Sequence, residues 1–177
     1  MAKEIRGIAA SEGIGIAPAY RLVEPDLHYE KRRIANPMVE YKRFMQAVDA
    51  SSADLQLLKD RAAGRLTPDD LAIFDAHIAI LSDPELLKQV KQQIDQQICA
   101  EEAVDTVTTH FARTLAQLSD PYIQERAGDV RDVAKRLLSH LLGKHLPDIG
   151  AINQPIIIVA HEVTPSDTSQ MDTRFIK

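Results

Sequence analysis

The chain has 177 residues, 45% of them hydrophobic, with 21 Lys and Arg against 26 Asp and Glu for a formal charge of -5. This is enough apolar content for the core of one ordinary domain or two small ones, and the acidic balance argues against nucleic acid or an anionic membrane surface as the main partner. A single cysteine, Cys99, rules out an internal disulfide, and with neither a long apolar run to cross a membrane nor an apolar stretch after Met1 to act as a secretory signal, a reducing cytoplasm is the expected setting.

Residues 4 to 22 mix β-branched residues with glycines (Ile5, Gly7, Ile8, Gly13, Ile14, Gly15, Ile16), a pattern of short strands and turns. Asn36-Pro37 then opens a long helix, because a polar cap followed by proline satisfies the first turn and fixes its φ. Its apolar positions Tyr41, Phe44, Met45, Val48, Leu55 and Leu58 share one face, and Gly64 closes it. Thr67-Pro68-Asp69-Asp70 starts a second helix with the stripe Leu71, Phe74, Ile78 and Leu81.

Asp83-Pro84 starts a third helix, whose expected buried stripe is Leu87, Val90, Ile94 and Ile98. Residues 97 to 102 contain neither Gly nor Pro, so the border with a fourth helix is not marked, although Val104, Val107, Phe111, Leu115 and Leu118 resume the stripe. Asp120-Pro121 opens the last long helix, carrying Ile123, Ala127, Val130, Leu137, Leu138 and Leu141 and ending at Gly143. Ile156 to Ala160 is a continuous apolar run, the pattern of a strand covered on both faces. The fold expected is mainly α: an antiparallel helical bundle over 36–144, inserted between strand-bearing ends at 1–24 and 153–177 that meet in space.

Between Arg65 and Lys88 there is no base, while Asp69, Asp70, Asp75, Asp83 and Glu85 fall in that interval. Such a run is either a solvated face with helix-start acids or a docking surface for a basic protein. His77 lies within it, beside the stripe residue Ile78, where a lone histidine is more often structural than a ligand. Further along, Arg126 and Arg131 are five residues apart and so about 140° apart around a helix, which gives them no obligatory common partner. Asp129 and Asp132 stand at helical spacing to neutralise Arg131 and its neighbours. No nucleotide-binding loop, nucleophile elbow or zinc signature is present.

Four ordered motifs resemble Enzyme I of the phosphoenolpyruvate:sugar phosphotransferase system: Gly7 to Ala17, Ile73 to Pro84, Asp120 to Val133, and Val163 to Thr168. The resemblance implies a helical subdomain that docks the phosphocarrier protein HPr, inserted into an incomplete α/β phosphohistidine domain. Carried over by position, it puts Asp69, Asp70, His77, Ile80, Glu85 and Leu86 at the HPr surface, with Arg126 and Arg131 on the adjacent helix, while Leu71 and Ala79 depart from the family's residues at their places. It also implies that Thr164 is the threonine beside the active histidine, that this histidine lies beyond Lys177, and that no catalytic residue or metal site belongs to this chain. Magnesium and homodimer formation would be properties of the full-length family, through a C-terminal region absent here. Two further readings are a nitrogen-regulatory paralogue of Enzyme I and, from a different class, a helical scaffold without any part in phosphotransfer.

Overall fold

A computed structural model describes residues 7–177; the expected strand residues before Gly7 lie outside the described part. Five long helices follow one another: α1 (Pro37–Ala62), α2 (Pro68–Leu81), α3 (Pro84–Asp95), α4 (Ala100–Ala116) and α5 (Pro121–Leu141). A short strand on either side, β1 (Ala19–Arg21) and β2 (Ile157–Val159), brackets them, and a single-turn helix α6 (Pro165–Thr168) comes last. The cap signals act as their chemistry dictates. Asn36 accepts from the N–H groups of Met38 and Val39, Asp83 from Glu85 and Leu86, and Asp120 from Tyr122, so donors that a helix start would leave open are satisfied by side chains.

The helices close on one core, centred on Phe44 and Leu55 of α1, Phe74 and Leu81 of α2, Val90 and Ile94 of α3, Val104 of α4, and Val133 and Leu137 of α5. The buried stripe of α3 keeps Val90 and Ile94 as expected but begins at Leu86 rather than Leu87. Leu86, Val90 and Ile94, spaced four apart, are the fully buried set, and Leu87 is only partly covered. The unmarked border between α3 and α4 is made by Gln97, which takes a φ of 65° without being glycine, followed by an antiparallel bridge between Arg33 and Ile98. Gly64 and Gly143 occupy left-handed positions after α1 and α5, as their places in the sequence required.

Glu40, Arg43 and Glu101 tie the start of α1 to the start of α4. Arg43 donates to both carboxylates and to the Leu141 carbonyl, and the Ala100 N–H donates to Glu40 Oε1 at 2.8 Å. Burial alone would raise both carboxyls, but the hydrogen bonds from Arg43 outweigh it and hold both below the ordinary glutamate range.

The two ends do meet. β1 and β2 pair in parallel, Ala19 with Ile157, Tyr20 with Ile158 and Arg21 with Val159, and Ile156 bridges to Ile176 on the other side. The sheet is much smaller than the apolar pattern implied: among the described residues before Ala19 no strand forms, and Ile8, Ile14 and Ile16 are exposed. The expectation that β2 is covered on both faces is also corrected, since only Ile156 is sealed and Val159 is 52% exposed.

Candidate functional site

The residues singled out from the sequence separate into three groups. The first is the acidic interval, where most carboxylates already have local work. Asp70 completes a capping box with Thr67, accepting from the Thr67 hydroxyl at 2.7 Å while the Asp70 N–H donates back. Asp75 pairs with Lys59 at 2.5 Å, Asp83 caps α3, and Glu85 accepts from Lys88 and Gln89. Asp69 is exposed and makes no hydrogen bond or ion pair among the described residues. The acidity of this stretch is therefore partly that of helix starts, and Asp69 is the carboxylate with no local partner among the described residues, while Asp75 and Glu85 remain more than half exposed.

The second group spans α2 and α5. His77 is 2% exposed, its Nε2 lying 3.3 Å from Asp129 Oδ1. Asp129 Oδ2 accepts from Arg126 Nη1 at 3.0 Å, and Arg126 in turn donates to the Tyr122 hydroxyl while its guanidinium stacks 4.8 Å from the Tyr122 ring centre. Burial would raise the Asp129 carboxyl, yet the hydrogen bonds from His77 and Arg126 prevail and hold it below the ordinary aspartate range. His77 thus orders Arg126 from beneath, through a shared carboxylate. Ile80 is half-buried one turn further along α2, packed against Ala127 and Val130. Beside Arg126 the exposed apolar surface is supplied by Tyr122.

Four expectations are corrected here. Leu86 is 1% exposed and belongs to the core, because it continues the Val90 and Ile94 stripe; His77 is buried because it faces α5 rather than solvent. Neither side chain is available to touch a partner. Arg131 is exposed, but it lies over the α4 side of α5 beside Asp105 and Arg113, away from Arg126. Asp129 and Asp132 do not serve Arg131 at all: one holds Arg126 and His77, the other accepts from Ser166 Oγ at 3.0 Å. Asp129 and Tyr122 are the participants that sequence reasoning missed. Helical spacing was the available signal, since Tyr122, Arg126 and Asp129 fall at i, i+4 and i+7 on one face.

The third group is at α6. Thr164 caps this turn in a box with Asp167, and its hydroxyl lies 3.0 Å from that of Ser166. The chain Thr164, Ser166, Asp132 links α6 to α5, and burial pushes the Asp132 carboxyl above the ordinary range in spite of the bond from Ser166. Thr164 therefore has contacts within this chain. Among the described residues no three His, Cys, Asp or Glu side chains gather as a metal site. Among the described residues no helix is long and apolar enough to cross a membrane.

Residues 6–126 match the family model described as PEP-utilising enzyme, N-terminal. The chain is 44% identical over 179 residues to phosphoenolpyruvate-protein phosphotransferase of Enterococcus faecalis, and 44% identical over 178 residues to that of Listeria monocytogenes. Each alignment takes in 100% of this chain and 31% of the relative, so the chain spans about a third of the length of these curated relatives. Among solved structures it is similar to an NMR solution structure of Enzyme I (nEIt), with a TM-score of 0.87, 29% identity, and coverage of 96% of this chain and 70% of the other. It is also similar to the N-terminal domain of Enzyme 1 - Nitrogen, with a TM-score of 0.68, 28% identity, and coverage of 90% and 66%.

Proposed function

The chain belongs to the PEP-utilising enzyme, N-terminal family, and from that premise we propose that it is the HPr-docking part of a phosphoenolpyruvate-protein phosphotransferase and does not itself carry phosphate. The whole enzyme moves phosphate from phosphoenolpyruvate to HPr through a histidine of its own, with magnesium and a homodimer belonging to its C-terminal region. One observation supports this reading most directly: α2 contributes Ile80, packed on the α5 cluster of Ala127 and Val130, and the start of α5 presents Arg126 and Tyr122, with the arginine held from below by Asp129 and buried His77. A preorganised arginine on an apolar surface is the composition of an interface anchor, because little side-chain entropy remains to be lost on binding.

The proposed surface is Asp69, Ile80, Glu85 and Arg126, with Tyr122 added; Asp70 acts there through its cap. Docking alone supplies no nucleophile, since phosphoryl transfer needs a group in line with phosphorus and donors for the developing charge. His77 is sealed and engaged by Asp129, which leaves no approach for a phosphoryl donor.

The alternative, a helical scaffold with a merely solvated acidic face, is favoured by the capping roles of Asp70 and Asp83. Titration with HPr separates the two. Saturable binding, weakened by Asp69→Lys and Arg126→Ala but not by Arg131→Ala, supports docking at this face. No saturable binding, or equal loss with Arg131→Ala, overturns it. Incubation with labelled phosphoenolpyruvate or phospho-HPr is expected to leave this chain unlabelled.

A further inference from the structure

A cavity of about 240 Å³ lies between α1, the segment that follows α5, and α6. Arg61 pairs there with Asp148 and Lys135 with Glu24, and against Arg136 and Lys144 stand Asp54, Asp132 and Asp167, so the cavity holds no surplus of positive charge. What it offers a partner is hydrogen-bond direction. On the α6 side Asp132, Ser166 and Thr164 line it as a continuous row. Ser166 is buried in the middle, with Asp132 Oδ2 and Thr164 Oγ1 each 3.0 Å from its hydroxyl.

Distance alone leaves open which hydroxyl donates between Thr164 and Ser166, but the count of protons decides it. An ionised Asp132 can only accept, so Ser166 spends its one proton on that carboxylate. The proton between Ser166 and Thr164 then comes from Thr164. Thr164 Oγ1 also accepts from the Asp167 N–H at 3.3 Å, which leaves this oxygen one lone pair and no proton to give. Around Asp132, burial and the Asp167 charge work against ionisation, while Ser166, His77 of α2, the Thr164 hydroxyl and Arg136 one turn along α5 favour it.

We propose that Asp132 is a positioning residue: through Ser166 it turns the Thr164 hydroxyl proton inward and leaves a lone pair toward the cavity, so that a group seated against Thr164 must be a hydrogen-bond donor. An N–H or O–H group fits that position, and a carboxylate oxygen, which can only accept, does not. A row of two hydroxyls can run in either direction, and a carboxylate at one end selects between them. With an apolar side chain at position 132, Ser166 is free to donate to Thr164, and the Thr164 proton is released toward the cavity. The inference goes beyond HPr docking, and its test contains no HPr, so the two stand or fall separately.

The test is NMR of the 177-residue chain labelled at serine, threonine and aspartate, at about pH 8, where an ionised Asp132 is recognised by its carboxyl carbon shift. The wild-type Thr164 hydroxyl proton is expected to lie against Ser166, seen as a nuclear Overhauser contact, and to exchange slowly with water. Asp132→Leu is expected to speed that exchange about tenfold, the size of one lost hydrogen bond to a charged group, whereas Asp132→Asn, whose side-chain oxygen still accepts from Ser166, is expected to stay within about twofold of wild type. The Asp167 amide should keep its protection in both variants, because its bond to Thr164 is the same in either direction of the row. If Asp132→Leu fails to fold, the wild-type spectrum decides by itself. A protonated Asp132 at this pH, a wild-type Thr164 proton directed away from Ser166, unchanged exchange in Asp132→Leu, or release of the Asp167 amide together with the hydroxyl would each overturn the proposal.

Discussion

His77 on α2 and Asp129 on α5 place an imidazole nitrogen and a carboxylate oxygen 3.3 Å apart where almost no solvent reaches the histidine. The contact joins two helices and, through the other oxygen of Asp129, sets the rotamer of Arg126. Asp129→Ala is expected to lower unfolding free energy by about 2–3 kcal/mol, the range of hydrogen bonds to a charged group, and less than a fully buried pair because Arg126 can turn to water. Urea denaturation checks the stability. If Arg126 is an anchor for HPr, the same variant also weakens docking.

The carboxyls of Glu40, Glu101 and Asp129 are all held below their ordinary ranges by the basic groups they face. A depressed folded pKa means that the unfolded chain takes up protons first as pH falls, so the stability these groups provide is present above the ordinary carboxylate range and is lost as pH drops through their folded values. The chain is expected to keep its melting temperature from neutrality down to about pH 5 and to lose it steeply below about pH 4. A variant with Glu40→Gln should show a flatter acid limb along with a lower plateau.

Asp132 carries the opposite sign. Its carboxyl is raised by burial, so the folded state binds the proton more tightly, and stability falls as pH rises through the folded value. Asp132→Asn keeps an acceptor for Ser166 and removes the desolvated charge. Thermal melting at neutral pH is expected to show an unchanged or higher midpoint, where Asp129→Ala lowers it. A marked drop for Asp132→Asn would mean that the carboxylate charge is used to hold Arg136.

Leu86 separates core from interface. As a fully buried side chain between Val90 and the rest of the cluster, Leu86→Ala is expected to cost about 2–5 kcal/mol. Its effect on HPr binding at temperatures where the variant remains folded should be small. Gln97 offers a change in the other direction: Gln97→Gly removes a left-handed side-chain conformation at the α3 to α4 turn and is expected to stabilise by about 1 kcal/mol. Both are read from the same denaturation curves.

The helices were legible because their punctuation is chemical and local. Asn36-Pro37, Thr67-Pro68, Asp83-Pro84 and Asp120-Pro121 each open a helix at the residue expected, and Gly64 and Gly143 follow the helices they were read as closing. The start of the α3 stripe was misread because Leu86 and Leu87 are adjacent and equally apolar, so only the position of α4 decides which is covered. Arg126 drew attention as a charge, but its partner Asp129 could be chosen over other neighbours only once α2 brought His77 against α5. The small extent of the sheet was not legible either. A run such as Ile156 to Val159 records what a strand is prepared to be covered by, and which neighbours are present is a property of the rest of the chain.

Parallel pairing between β1 and β2 has a kinetic consequence. Every helix from α1 to α5 lies between the two strands, so their register is a contact of very high sequence separation, and closing it in an unfolded chain would carry a large loop entropy. Once the helices have condensed, the two ends are delivered near each other and the effective loop is short. Folding should therefore run from the bundle outward, with the strands zipping last and separating first.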